Sequence, residues 1–174
     1  MPICPRPKRR HGPLIHAART QRRVEVDYVS LNQPDREGRI IVPHTLVWTG
    51  LRWHVRAWCE KNQDYRDFVL SRFRGEPELM DHSMHSVDQD TEWQTHLTLK
   101  IAPDPRLTTE QQAVVAHDYG MTDQRWTLNV RAKLLPYLLR LIQLDPQAEA
   151  NAPRAQQIVI VNRDELQPWL FGDA

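Results

Sequence analysis

The residues best equipped for chemistry are Tyr28, Ser30, His44, His54, Arg66 and Arg72, all in the first 75 positions. They offer hydroxyls, two imidazoles and two guanidiniums, with no carboxylate among them. Such a set suits phosphate or a nucleotide, because an arginine fork makes paired, charge-assisted hydrogen bonds to phosphate oxygens. The residue types leave a second reading open, in which each arginine pairs with Asp27, Asp64 or Asp67 as an ordinary surface ion pair. Other chemistries lack their residues. The sequence contains no glycine-rich phosphate loop, CxxC pair or HExxH helix. His82 and His85 stand three apart near Asp81 and Asp88, in a polar stretch that reads as solvated loop rather than metal site. Ser71, His44 and Asp67 can be named as a triad, but triads are recognised by geometry and not by residue lists. Cys4 and Cys59 make neither a disulfide framework nor a complete ligand set. No catalytic residue, metal or cofactor is expected on these grounds.

Composition bounds the rest. The chain has 174 residues, 40% hydrophobic and 26% charged, with 13 Pro and 6 Gly. These values exclude disorder, collagen and coiled coil, and the length suits one large domain or two small ones. The most apolar stretch, residues 134–142, is interrupted by Arg140 and falls far short of the roughly 18 residues needed to span a membrane. No apolar signal-peptide core follows the basic N-terminus, so a cytoplasmic chain without a membrane partner is expected. The net charge of +1 hides an asymmetry: residues 1–75 hold 15 Lys+Arg against 7 Asp+Glu (+8), and residues 76–174 hold 8 against 15 (−7). A basic half of this kind attracts a polyanion, unless the two halves simply pack against each other.

The elements that must position the candidate residues follow from hydrophobic period. Residues 1–13 read as a flexible basic arm and residues 14–20 as a short helix. In a strand over 24–30, Val24, Val26, Tyr28 and Ser30 share one face. A second strand covers 39–48, and Thr49-Gly50 turns into a third over 52–59. There Trp53, Val55, Ala57 and Cys59 point one way, and Arg52, His54, Arg56 and Trp58 the other. Arg66, Phe68 and Leu70 mark a fourth strand, followed by a turn at 71–75. Closely spaced hairpins over 14–75 predict a small, strongly curved antiparallel sheet or barrel. On it Tyr28 and Ser30 run from core to rim, His44 ends an apolar row, and Arg66 and Arg72 bracket the fourth strand. Trp48, Trp53 and Trp58 recur every five residues and so alternate faces, which favours packing over a stacking platform. Residues 76–92 are acidic and polar and read as a linker. Residues 93–174 then give strand 93–101, helix 109–119 with a Thr108/Gln111 capping box, strand 125–131, helix 135–144 and strand 158–161. That order predicts a small α+β domain.

The succession YVS (28–30), RIIVPH (39–44), GLRWHVRA (50–57) and YRDFVLSRF (65–73) resembles the WYL domain. This is the ligand-sensing module of many bacterial transcriptional regulators, an Sm-like β-barrel. The name triplet reads Trp53-His54-Val55, and the PH and RDFxLSR motifs are most similar to the subgroup that regulates phage-defence operons. Further on, LTLKIAPDPRL (97–107), DYGM (118–121) and LNVRAKLLPYLLR (128–140) resemble those regulators' C-terminal extension domain, which takes part in dimerisation. The resemblance covers about residues 14–145.

It implies a mostly β plus α+β chain: an Sm-like small β-barrel followed by a small α+β C-terminal domain over 93–174. It implies a homodimer whose barrel binds nucleic acid or a nucleotide-derived signal such as a cyclic oligonucleotide, without a cofactor. Carried over by position, the pocket is Tyr28, Ser30, His44, His54, Arg66 and Arg72, with His54 standing where the family has Tyr. The family's regulators carry a winged helix-turn-helix before the barrel. Only about 13 residues precede the first helix here, so this chain alone is not expected to read a promoter. The expected function is thus a ligand-sensing module of a WYL-type regulator, and not an enzyme. The alternatives are a nucleic-acid-processing enzyme using His44 and His54, for which the usual Mg²⁺ carboxylate cluster is missing, or a dimerisation partner of a full-length regulator.

Overall fold

A computed structural model describes residues 11–32, 34–147 and 152–170. The chain divides into two units, residues 1–90 and 91–174. In the first, helix α1 (Gly12–Thr20) precedes strands β1 (Arg22–Tyr28), β2 (Glu37–Trp48), β3 (Trp53–Cys59), β4 (Asp64–Val69) and β5 (Phe73–His82). Pro13 sits in the first turn of α1, where its missing N–H costs nothing. Residues 1–10 of the expected arm lie outside the described residues, whereas His11 to Pro13 already lead into or form α1.

The sheet is antiparallel, in the order β4-β3-β2-β1-β5. β4 and β5 are its two edges, yet only the 3₁₀ turn Leu70–Arg72 joins them. The edges of a flat five-stranded sheet lie roughly 19 Å apart, and three residues reach at most about 11 Å. The sheet must therefore curl until its edges approach, as an Sm-like barrel does. Alternation fills the interior with Val24, Val26, Ile41, Val55, Ala57 and Phe68, and Leu14 and Ala17 of α1 join the same cluster.

Residues 76–82, read from sequence as the start of a linker, form the body of β5 and pair with β1. Their charges and Pro77 are what an edge strand carries to discourage further pairing, so strand periodicity is weak there. Five acidic residues (Glu76, Glu78, Asp81, Asp88, Asp90) consequently belong to the first unit. Its net charge is 15 − 12 = +3 and that of the second unit 8 − 10 = −2, a much weaker asymmetry than +8 against −7.

The second unit holds a short helix α2 (Thr91–Gln94), β6 (His96–Pro103), α3 (Thr109–Asp118), β7 (Trp126–Arg131), α4 (Leu135–Leu141), β8 (Ile158–Ile160) and α5 (Arg163–Leu170). Its antiparallel sheet runs β7-β6-β8, and Leu99, Ile101, Leu135, Leu139, Leu166 and Leu170 share one core. The expected α+β class holds. Two details differ. The strand expected from Trp93 begins at His96, because Thr91–Gln94 closes a helical turn through the Thr95 N–H to Thr91 carbonyl bond at 2.9 Å. Helix α5 is absent from the sequence reading, since Pro168 in its interior mimics a breaker. Among the described residues no helix is long and apolar enough to cross a membrane.

The capping box is present as expected: Gln111 N–H donates to Thr108 Oγ1 at 3.3 Å, and Thr108 N–H to Gln111 Oε1 at 3.0 Å. Thr108→Ala should cost about 1 kcal/mol and Thr108→Ser almost nothing. Urea unfolding of the two variants checks this, and equal losses would refute the cap.

Candidate anion-binding site

β3 presents two buried faces. One carries Val55, Ala57 and Cys59 into the core. The other carries His54, Arg56 and Trp58, with Val69, Asp67 and Tyr65 of β4 paired opposite them. This second face is not open to water: His54 is 5% and Arg56 1% exposed. Residues 83–90 cover part of it. Arg56 Nε donates to Asp90 Oδ2 at 2.7 Å and Nη2 to Oδ1 at 3.0 Å, a two-pronged grip on a carboxylate that is itself 1% exposed. His44 Nε2 lies 3.1 Å from the same Asp90 Oδ2, and its Nδ1 lies 2.8 Å from Thr45 Oγ1. The β2–β3 register slips between Pro43 and Thr45, at the position of His44. Asp67 Oδ1 stands 3.6 Å from Arg56 Nη1. Tyr65 Oη donates to the Ser86 carbonyl at 2.6 Å, and burial, reinforced by the Asp90 charge, pushes its phenol above the ordinary value. The Trp58 indole stacks on the His85 ring, centroids 4.0 Å apart at 12°.

At the other end of that face lies a cationic rim. His54 is held near pKa 4, first because burial penalises the imidazolium, then because Arg52 and Arg72 add positive charge. Arg52 closes the β2–β3 turn, its carbonyl accepting from Thr49 N–H at 3.2 Å and Thr49 Oγ1 at 3.0 Å. Arg72 ends the turn into β5, and its carbonyl accepts from the N–H of Val29, the residue before Ser30, at 3.2 Å. Among the described residues neither Arg52 nor Arg72 has a carboxylate partner. Arg52 and Arg72 are thus the groups at this end that could receive an anion, because hydrogen bonds to charged donors are the strong ones.

The six residues singled out from the sequence thus part company. His54 and Arg72 interact electrostatically, with Arg52 added, and Ser30 follows the residue whose N–H donates to the Arg72 carbonyl. His44 belongs to the Arg56–Asp90 network. Tyr28, expected at the rim, is a core residue: it is 5% exposed, packs edge-on against Phe68 and Phe73 at 5.0 and 5.2 Å, and its Oη accepts from Val69 N–H at 3.0 Å. Arg66 pairs with Asp64 at 3.3 Å on an exposed edge, and its place opposite Ala57 puts it on the other alternation from His54. The Arg66–Asp64 contact has the form of the surface ion pair that the residue types had left open. Alternation had placed Arg52 and Arg56 with His54, a signal sufficient to find both. Nothing local pointed to Asp90, 34 residues beyond Arg56. The described residues contain no group of three or more His, Cys, Asp or Glu able to hold a metal.

Comparison with known proteins gives two family matches. Residues 11–75 match the WYL domain, and residues 96–166 match the BrxR transcriptional regulator C-terminal dimerization domain. The DNA-binding transcriptional repressor CapW of Stenotrophomonas maltophilia is 35% identical over 164 residues, covering 92% of this chain and 54% of that one. CapW of Pseudomonas aeruginosa is 33% identical over 156 residues, covering 90% and 52%. The chain spans about half the length of these curated relatives. Among solved structures, proteasome accessory factor B/C (PafBC) of Arthrobacter aurescens aligns with a TM-score of 0.38 at 18% identity, over 97% of this chain and 27% of that one.

Proposed function

We propose, from the premise that the chain belongs to the WYL family over residues 11–75 and to the BrxR C-terminal dimerization family over residues 96–166, that it is the anion-sensing and self-pairing part of a bacterial transcriptional regulator. The ligand is nucleic acid or a nucleotide-derived signal such as a cyclic oligonucleotide, and the regulator is a cytoplasmic homodimer controlling a phage-defence operon. One observation carries this reading: Arg52 and Arg72 both act electrostatically on the buried His54, and among the described residues neither has a carboxylate partner. Ser30, next in the chain to the Val29 that bonds the Arg72 carbonyl, would supply a hydroxyl. Binding here would shift a two-state equilibrium of the dimer by as much as the ligand's differential affinity for the two states.

The module binds rather than turns over its ligand. His44 has both ring nitrogens engaged, by Thr45 and Asp90, which leaves it badly placed for acid–base work on nucleic acid.

Fluorescence anisotropy with a labelled short single-stranded DNA across a salt series tests the proposal. Each phosphate contact contributes about −0.7 to the slope of log K against log salt. Replacing both Arg52 and Arg72 by Ala should flatten that slope by about 1.4 and weaken binding at least about tenfold. Arg66→Ala should change little, because Asp64 already neutralises it. Equal binding by the double variant, or no binding by the wild type to any oligonucleotide, would refute the proposal.

A further inference from the structure

Residues 85–90 imitate a ligand. Asp90 places a carboxylate between the Arg56 fork and His44, where a phosphate would be held in the same way. Five residues earlier the flat His85 ring lies parallel on Trp58 at 4.0 Å, the arrangement of a base on an aromatic platform. Trp58 and Arg56 are two apart on one face of β3, and His54 of the rim is two further on, so three neighbouring positions of one strand face carry ring, fork and imidazole.

We propose that the face of β3 beneath residues 85–90 is a second, self-covered nucleotide site, in which a phosphorylated nucleotide displaces the chain's own Asp90 and His85. The inference rests on the reading of the rim as a nucleic-acid sensor and extends that site along the strand. Exchange is physically reasonable because Arg56 is never left buried without an anion: as Asp90 moves out into water, a phosphate takes its place. The covering segment is held at three points, Asp90 on Arg56 and His44, Ser86 on Tyr65, and His85 on Trp58, and the nucleotide would replace the first and the last. Val87 is half-buried, Asp88 and Gln89 are exposed, and Met84 is 89% exposed, so the segment buries little apolar surface of its own. Asp90 is the last residue of the first unit, so displacement would be transmitted directly along the chain to Thr91.

The test uses the full chain, with a 5′-phosphorylated thymidine dinucleotide and, separately, inorganic phosphate as probes. Asp90→Asn removes the competing charge, and His85→Ala removes the competing ring while leaving the Arg56–Asp90 pair intact, which guards against a folding defect. If the segment competes, each variant binds the dinucleotide several-fold to about tenfold more tightly than wild type, since the closed state no longer reduces the apparent affinity. The dinucleotide should bind more tightly than phosphate, with Trp58→Leu abolishing the difference, and its binding should speed amide hydrogen exchange in residues 83–90. Unchanged or weaker binding by both variants, or protection of residues 83–90 by the dinucleotide, overturns the inference. Loss of binding in Arg72→Ala alongside indifference to Asp90→Asn and His85→Ala leaves the rim reading standing and removes this one. Binding by no variant removes both.

Discussion

Asp90→Ala should destabilise the first unit by about 3–5 kcal/mol, because it leaves the guanidinium of Arg56 buried beside the longer 3.6 Å contact to Asp67. Both partners of the Arg56–Asp90 pair are 1% exposed, so water cannot replace the lost carboxylate without local opening. The loss comes from stranding a charge, not from the intrinsic worth of the pair. A double variant, Arg56→Met with Asp90→Leu, should therefore recover most of the stability that Asp90→Ala removes. Arg66→Ala is the contrast: both members of the Arg66–Asp64 pair are 56% exposed, and exposed pairs contribute about 0–1 kcal/mol. Urea unfolding of the four proteins measures all of this at once. A loss below 1 kcal/mol for Asp90→Ala would mean that the 83–90 segment is not anchored through Arg56.

Acid should destabilise the protein through His54. Its folded pKa is about 4, while an unfolded histidine titrates near 6.5. Between these values the unfolded chain binds a proton that the folded protein refuses. Stability supplied by neutral His54 is thus fully present above about pH 6.5 and is lost as pH falls toward 4. The full loss is roughly 3 kcal/mol, taking about 1.4 kcal/mol per unit of pKa displacement. Replacing His54 with Gln should remove this component, so the gap between wild type and variant should shrink or invert as pH drops from 7.5 to 4. Denaturation midpoints across that range decide the matter. Parallel curves for the two proteins would show that His54 is not the titrating group.

Much of the architecture was legible because one face of each element is apolar at the right period. Val24 and Val26, and Val55, Ala57 and Cys59, point into the core as alternation requires. Alternation says which face a side chain takes, not whether that face is covered. His54 and Arg56 were assigned to the correct face of β3 but are buried, and residues 85–90 close over the Arg56 end of that face. Such coverage is a long-range property with no local sequence signal. Tyr28 misled for a related reason. A hydroxyl at the end of an apolar row reads as a rim group, yet this one receives the Val69 N–H inside the core. Gly75 was read as the end of a turn. It sits inside β5 at φ +64°, at an irregularity in the β1–β5 register, where a Cβ would lie 3.1 Å from Arg36 Nη2. The arginines were half legible: Arg72 was a candidate from the sequence and Arg52 was placed on the His54 face without being singled out, while only the fold showed that Arg66 pairs with Asp64.

The central claim, that an anion settles between Arg52 and Arg72 beside His54, is tested most directly by the ring protons of His54. Their chemical shifts should be titrated by NMR with and without saturating short single-stranded DNA. Burial is the main cause that holds the imidazole neutral, and the two guanidinium charges add to it; a phosphate at the rim would offset those charges, so the His54 pKa should rise above about 4. An unchanged His54 pKa with the oligonucleotide fully bound would place the ligand elsewhere and contradict the account.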